Sequence, residues 1–329
     1  MRTITRTPFE ISEDRMIATR TDALLARLGL PAPEAAGLPA ATGRFPDGAH
    51  FRVEIPSVEG PRCLAAVLAE AKRYEVPVTR VSQGTGVGLL TDAEITEMVA
   101  MAREAGIELS LFARPCAGWD ASAASTAPAG GGLAAAVRGA EQLAAVVDEI
   151  RRAAALGVRS VLVADLGVLS VLGQLRAAGE LPADLRAKVS VMLPVANPAT
   201  ARVLVDLGAD TLNLPTDLTL PQIAAIRAAV GVPLDVYVEA PDNLGGFVRH
   251  YELPRLVELA APVYVKFGLR NAPDLYPSGS HLEATAVALS AERVRRARLG
   301  LDLLARSGST AGCSRPGAAG LAVPAAGPG

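Results

Sequence analysis

Two short segments hold the residue types best suited to chemistry. Leu234-Asp235-Val236-Tyr237-Val238-Glu239 and Val263-Tyr264-Val265-Lys266-Phe267-Gly268 both read as buried β-strands, yet Asp235, Tyr237 and Glu239 alternate along the first, and Tyr264 and Lys266 along the second. Strand side chains point to opposite faces with period two, so one face is aliphatic and the other carries a carboxylate and an amine near its C-terminal end. Charges withdrawn from water are costly unless paired, hydrated or used. In parallel α/β proteins that end of the strands is also where active sites are built.

Three schemes use these residues. In the first, Glu239 or Glu54 is a general base, while Arg114 or Lys266 holds an oxyanion or carboxylate. In the second, Lys266 is desolvated, has a lowered pKa and forms a Schiff base with a carbonyl substrate. In the third, Glu54, Glu239, Asp217 and His281 ligate a divalent metal, with oxygen donors suited to magnesium or manganese. No other cofactor is expected. A fixed Lys266–Glu239 salt bridge across adjacent strands is the structural alternative to any catalytic role. Cys116 with His281 is a thiol pair only if their loops converge. No G-x-S-x-G elbow is present.

The elements that would position these groups form one repeating pattern from about 51 to 306: a short strand, a polar turn and an Ala/Leu-rich helix. The strands are read at Phe51–Ile55, Val78–Ser82, Glu108–Arg114, Ser160–Ala164, Lys188–Pro194, Thr211–Leu214, Leu234–Glu239 and Val263–Phe267. Thr91 with Glu94 makes a capping box, Asn197-Pro198 opens a helix, and Gly106, Gly157, Gly208 and Gly231 stand where helices end. Eight units predict a (β/α)8 TIM-type barrel, whose usual size is roughly 250 residues. Gly84-Thr85-Gly86-Val87-Gly88 lacks the spacing of a dinucleotide loop and reads as a flexible active-site loop. Residues 1–50 form an N-terminal extension with a helix near Thr21–Leu28, and residues 307–329, rich in Gly, Ala and Pro, are expected to be disordered.

With the aliphatic faces toward the helices, the polar faces must line the barrel. Arg52, Arg80 and Asp235 form a lower layer read as an ion-pair network, and Glu54, Ser82, Arg114, Glu239 and Lys266 an upper layer beside the loops. Ser110, Ser190, Met192, Thr211, Asn213 and Tyr237 share this face. The loops add Glu59, Gln83, Asp165, Asp217, Arg270, Asn271 and His281, so Arg80, Ser82, Arg114, Asp165, Asn213, Asp217, Tyr237, Arg270 and Asn271 are candidate substrate-binding residues. The long third loop, Cys116 to Gly132 with Trp119 and Asp120, reads as a lid. His50 and His250 read as surface or loop residues.

Composition narrows the functions. A formal net charge of −2 and 4% aromatic residues give no footprint for nucleic acid. No apolar run reaches the roughly 20 residues of a membrane span, and the N-terminus lacks the core of a secretory signal, so a cytoplasmic protein is expected. Cys63, Cys116 and Cys313 have no metal spacing. The expected partner is a small-molecule or peptide substrate, and a homo-oligomer is compatible with the sequence.

Val163-Ala164-Asp165-Leu166-Gly167, the run from Asn197-Pro198 through Leu207-Gly208-Ala209-Asp210, then Leu218-Thr219-Leu220-Pro221-Gln222-Ile223 and Val232 to Ala240, together resemble the collagenase-like U32 peptidase family. The resemblance covers about Val158 to Ala240 and implies a TIM-like barrel and a hydrolase. The family strand that reads E-x-F-x-H-G carries Asp235, Tyr237 and Glu239 here, and the cysteine that usually follows is missing, as are the cysteines of members that hold iron–sulfur clusters. The expectation is a divergent peptidase-like hydrolase working by carboxylate acid/base chemistry on a small anionic substrate. The alternatives are a Schiff-base lyase or aldolase using Lys266, and a non-catalytic effector-binding barrel.

Overall fold

The computed structural model describes residues 27–29, 35, 37–115 and 135–326. Eight parallel strands close into a barrel in chain order, each paired with the next and the last with the first. They are β1 (Phe51–Pro56), β2 (Val78–Ser82), β3 (Glu108–Ala113), β4 (Ser160–Val163), β5 (Arg186–Val189), β6 (Thr211–Asn213), β7 (Leu234–Glu239) and β8 (Val263–Phe267). A helix follows each: α1 (Pro61–Arg73), α2 (Asp92–Ala105), α3 (Gly139–Ala155), α4 (Leu166–Ala177), α5 (Pro198–Asp206), α6 (Leu220–Ala229), α7 (Leu253–Ala260) and α8 (Glu283–Arg306). The alternating pattern of the strands decides this arrangement. Val53, Ile55, Val81, Leu109, Leu111, Val161, Val189, Val236, Val265 and Phe267 face outward into one core with the apolar stripes of the helices.

Local chemistry sets the helix ends. Thr91 accepts from the Glu94 N–H while the Glu94 carboxylate accepts from the Thr91 N–H, closing the capping box. Asn197 caps α5 ahead of Pro198, and a second box, Thr219 with Gln222, caps α6. Gly106 ends α2 in the left-handed conformation at φ 65°. Gly231 does not act this way: α6 ends at Val230 in an extended conformation.

Three sequence expectations change. The fifth strand runs Arg186–Val189 rather than Lys188–Pro194, because Ser190 to Pro194 leave the ladder as a turn in which the Ser190 hydroxyl accepts from the Met192 N–H. The pairing of β7 with β8 slips between Tyr237 and Glu239, a bulge that sets Glu239 beside the outward-facing Phe267. The C-terminal segment is placed, not disordered, as far as residue 326. Cys313 bridges to Phe51 of β1, the Ala322 N–H donates to Glu108 Oε1 at 2.9 Å, and the Ala325 N–H donates to the Gly157 carbonyl at 2.9 Å. Low complexity prevents a segment from making its own core, yet its backbone can satisfy buried charges of another. Arg52 donates to Ser314 Oγ at 3.1 Å and to the Ala319 carbonyl at 2.6 Å. The expected Thr21–Leu28 helix and the lid from Cys116 to Gly132 lie, but for 27 and 28, outside the described residues. Among the described residues no helix is long and apolar enough to cross a membrane.

Deleting residues 307–329 strips Arg52 and Glu108 of these partners. Both keep Tyr264, and Glu108 keeps Arg80, so the expected loss is that of charge-assisted hydrogen bonds, about 1.5–3 kcal/mol each. An unchanged urea midpoint for the truncated chain would show that the segment anchors nothing.

Candidate active site

The polar faces of β1, β2, β3, β5, β7 and β8 meet inside the barrel as a cage of buried charge. Glu54 of β1 is its hub: Oε2 accepts from Arg80 Nε at 2.7 Å, Oε1 accepts from Ser82 Oγ at 2.7 Å and from Lys188 Nζ, and Lys266 Nζ stands 3.2 Å from Oε1 as an ion pair. Arg80 also reaches Asp235 Oδ1 at 2.6 Å, and Lys188 lies 3.5 Å from Asp235 Oδ2. Beneath them, Tyr264 donates to Glu108 at 3.0 Å, and its ring centroid lies 3.4 Å from the Arg80 guanidinium carbon. A low-dielectric interior makes each charge expensive alone and strongly coupled to its partners.

The cage shifts its members unequally. Burial pushes the Glu54 carboxyl up, but Arg80, Lys188 and Lys266 outweigh burial and hold it well below the usual carboxylate range. Burial pulls Lys188 down, Arg80 and Lys266 add to the fall, and its ammonium reaches about 7 despite Glu54 and Asp235. Lys266 moves the other way: burial lowers it, but Glu54, Tyr237 and Asp235 raise it above the ordinary lysine value. At neutral pH Lys266 is a cation, Glu54 an anion, and Lys188 is divided between its two forms.

A cavity of about 430 Å³ opens above the cage at the C-terminal ends of the strands. Ser82, Asn213 and Lys266 are among its polar groups, together with Ser190 and Gln83, while Phe112, Leu162, Met192 and Leu244 supply apolar walls. With the Asn213 amide oriented to suit both neighbours, its oxygen accepts from Lys266 Nζ at 2.9 Å and its nitrogen donates to the Asp235 carbonyl at 3.2 Å; the reverse orientation would set like groups against each other. Lys266 Nζ sits 4.4 Å from the Tyr237 ring centroid, a cation–π distance. Arg114 lines the wall beside Phe112, its guanidinium carbon 5.2 Å from that ring. Tyr276 closes one side through a hydrogen bond between its hydroxyl and Ser57 Oγ.

The Gly84–Gly88 loop is pinned rather than free. Buried Glu59 accepts from the Gly84 and Thr85 N–H groups at 2.9 and 3.0 Å, and the Gln83 amide accepts from the Gly86 N–H at 3.1 Å. The N–H groups of Gly84, Thr85 and Gly86 are thereby committed to side chains of the protein itself. A Cβ on Gly84 would stand 2.6 Å from Tyr276, which explains a glycine at that position.

Of the candidate substrate-binding residues, Ser82, Arg114, Asn213 and Tyr237 line the cavity. Arg80 lies under its floor. Asp165 caps α4, accepting from the Val168 N–H at 3.0 Å, and also accepts from the Val137 N–H at 3.1 Å. Arg270 and Asn271 stitch the β7 and β8 loops together through Asp242, at 2.7 and 2.5 Å, away from the cavity. Asp217 is exposed on a loop and His281 on the 3-10 turn Ser280–Leu282. Glu239 is the largest correction. The bulge turns it outward, where its carboxylate meets His250 Nε2 at 3.0 Å, the Arg270 N–H at 2.9 Å and Arg296 Nη1 at 3.5 Å. Lys266 pairs with Glu54, not Glu239, and the metal set Glu54, Glu239, Asp217 and His281 does not converge. Among the described residues no three or more His, Cys, Asp or Glu side chains gather as a metal site. Cys116 lies outside the described residues. His250 is a partner of Glu239 rather than a surface residue. Lys188 was missed, although it shares strand parity with Ser190 and Met192; an aliphatic strand holding one lysine at an inward position was the available signal.

Residues 133–240 match peptidase family U32. The matched stretch ends with β7 and includes Lys188, Asn213, Asp235, Tyr237 and Glu239. No curated protein matches. Among solved structures, the U32 peptidase Mk0906 is similar at 21% identity and TM-score 0.37, over 59% of this chain and 70% of that one. A truncated 3-deoxy-D-arabino-heptulosonate 7-phosphate synthase from Thermotoga maritima is similar at 12% identity and TM-score 0.45, over 81% and 91%. Oxaloacetate acetylhydrolase with oxalate is similar at 14% identity and TM-score 0.40, over 66% and 75%.

Glu54→Gln leaves three buried cations around a neutral amide, and a loss of about 3–5 kcal/mol is expected by urea denaturation. Glu239→Gln loses charge-assisted hydrogen bonds at the barrel's outer side and should cost less, about 1.5–3 kcal/mol; equal losses would contradict the hub role of Glu54. The lysine gives a pH signature. Folded Lys188 titrates near 7, against 10.5 for an ordinary lysine. Between those values the unfolded chain holds a proton that the folded chain lacks, so stability rises with pH and levels off below the folded value. The slope should be positive from about pH 7 to about pH 9, by up to about 1.4 kcal/mol per unit, and Lys188→Met should flatten it.

Proposed function

We propose that the protein is an enzyme that acts on a small anionic carbonyl compound in the cavity over Lys266, making or breaking a bond beside the carbonyl. One observation carries this reading. Lys266 faces the cavity as a cation held in place by Glu54 and Asn213, at the position where negative charge on a carbonyl oxygen can be stabilised. A fixed ammonium in a water-poor site stabilises an oxyanion without reorganising during the reaction. Tyr237 adjoins it, and burial raises its phenol, keeping a proton available to that oxygen. Arg114 on the wall suits a second anionic group of the substrate, such as a carboxylate.

The arrangement supports a lyase-type reaction over peptide hydrolysis by a carboxylate base. A base that activates water must be able to take up a proton near neutral pH. Glu54 is held too far below that range by three cations, and Glu239 faces away from the cavity.

A panel of 2-oxo acids, their aldol adducts and short peptides would separate the readings. Lys266→Met should lower kcat/KM on the anionic carbonyl compound by about 10²–10³-fold, the scale for losing one oxyanion partner, with Lys266→Arg retaining part of the activity. Borohydride trapping of substrate on Lys266 would replace the ionic role with a covalent one. Peptide cleavage that survives Lys266→Met would overturn the proposal.

A further inference from the structure

The cage has a second face. At the N-terminal ends of the strands a cavity of about 320 Å³ is lined by Arg44, Arg52, Arg80, Arg186 and Lys188, against the carboxylates of Glu108 and Asp210. Both carboxylates are already committed. Glu108 Oε1 accepts from Tyr264 Oη at 3.0 Å and the Ala322 N–H at 2.9 Å, while Oε2 lies 3.5 Å from Arg80 Nη1. Asp210 Oδ2 accepts from Arg176 Nη1 at 2.6 Å and the Ala187 N–H at 2.8 Å, and Oδ1 accepts from Arg186 Nη1 at 2.9 Å.

The cations are not all committed. An ammonium has three donors, and Lys188 donates one to Glu54 while standing 3.5 Å from Asp235 Oδ2. Arg186 uses Nη1 on Asp210 and is half exposed at the rim. Arg44 uses Nη1 on the carbonyls of Ala41 and Gly43 and is also exposed. Within the buried cage, which shares Arg52, Arg80, Lys188 and Glu108 with this cavity, four cations, Arg52, Arg80, Lys188 and Lys266, stand with three carboxylates, Glu54, Glu108 and Asp235. A buried excess of positive charge is relieved by losing a proton or by taking up an anion.

We propose that the N-terminal mouth of the barrel binds a small oxyanion, a phosphate or a carboxylate, between the Arg44 and Arg186 guanidinium groups and the Lys188 ammonium. Planar guanidinium forks at the rim match either oxyanion, and the lysine at the inner end supplies the buried point charge. The site lies on the opposite side of the cage from the Lys266 cavity, so it is a second site and not an extension of the first. The two are joined by one atom, because Glu54 Oε1 accepts from Lys188 and is ion-paired with Lys266 at 3.2 Å. An anion that draws Lys188 downward leaves more of that oxygen to Lys266, and the coupling is reciprocal.

Calorimetric titration of the intact protein with inorganic phosphate, and separately with malonate, at constant ionic strength in chloride tests this. Binding of at least one is expected, weakened at least about tenfold by the double substitution Arg44→Ala/Arg186→Ala and left within about twofold by Arg114→Ala in the upper cavity. Both rim arginines are exposed, so the double variant should fold, with its urea midpoint as the check. The opposite pattern would place the anion over Lys266 and overturn the proposal. Absence of binding by both probes, or affinity indifferent to the rim arginines, would overturn it too.

Discussion

The sharing of one carboxylate among three cations is the constraint on which the rest of this barrel depends. Glu54 joins β1 to β2 through Arg80 and Ser82, to β5 through Lys188 and to β8 through Lys266. Barrels of this class usually fill their interiors with branched apolar side chains. Here salt bridges take that place, and they tolerate no missing partner. The cost of desolvating so many charges is offset by counter-charges at contact distance and, for Arg52, by neutral acceptors. The same requirement explains why a segment of Gly, Ala and Pro is held at the barrel's N-terminal end: the lining gives Arg52 the Tyr264 hydroxyl, and backbone carbonyls of the segment take up further donors.

That constraint also divides the chemistry. A carboxylate surrounded by cations is a poor proton acceptor, so Glu54 positions rather than reacts. A lysine beside that carboxylate stays charged, which suits Lys266 to binding and polarising an anionic substrate. A second lysine, buried against Arg80 and sharing the same carboxylate, is left near 7. Two amines on one oxygen thus differ in protonation because their remaining neighbours differ. The cage is accordingly a partition between two openings, with a cation presented to each.

Much of this was legible in the chain. Eight strand–helix units, the inward polar parity and the charged lining all follow from side-chain periodicity. The helix caps follow from local hydrogen bonding. The resemblance to U32 peptidases was visible over the stretch where the family match falls. The misreadings share a cause. Parity puts Glu239 in the lining only if β7 stays in register to its end, and one bulge moved it to the far side of the sheet. Asp165 looked like a binding residue because a helix cap and a ligand contact demand the same acceptor. Lys188 went unweighed because a single lysine in a short strand carries no spacing signal, and its importance comes from three other strands.

By itself, then, the sequence determined the barrel, the order of its units and the polarity of its interior, since those depend on contacts within a unit and on the period-two alternation. Only the tertiary structure decided which charges are partners. Ion pairing inside a closed barrel joins residues such as Glu54 and Lys188, or Arg80 and Asp235, across strands distant in the chain. The stagger of the strands and one bulge determine which of them meet. Those details place Lys266 at the cavity and Glu239 outside it, and they turn a list of inward-facing charges into a site with a cation facing each end.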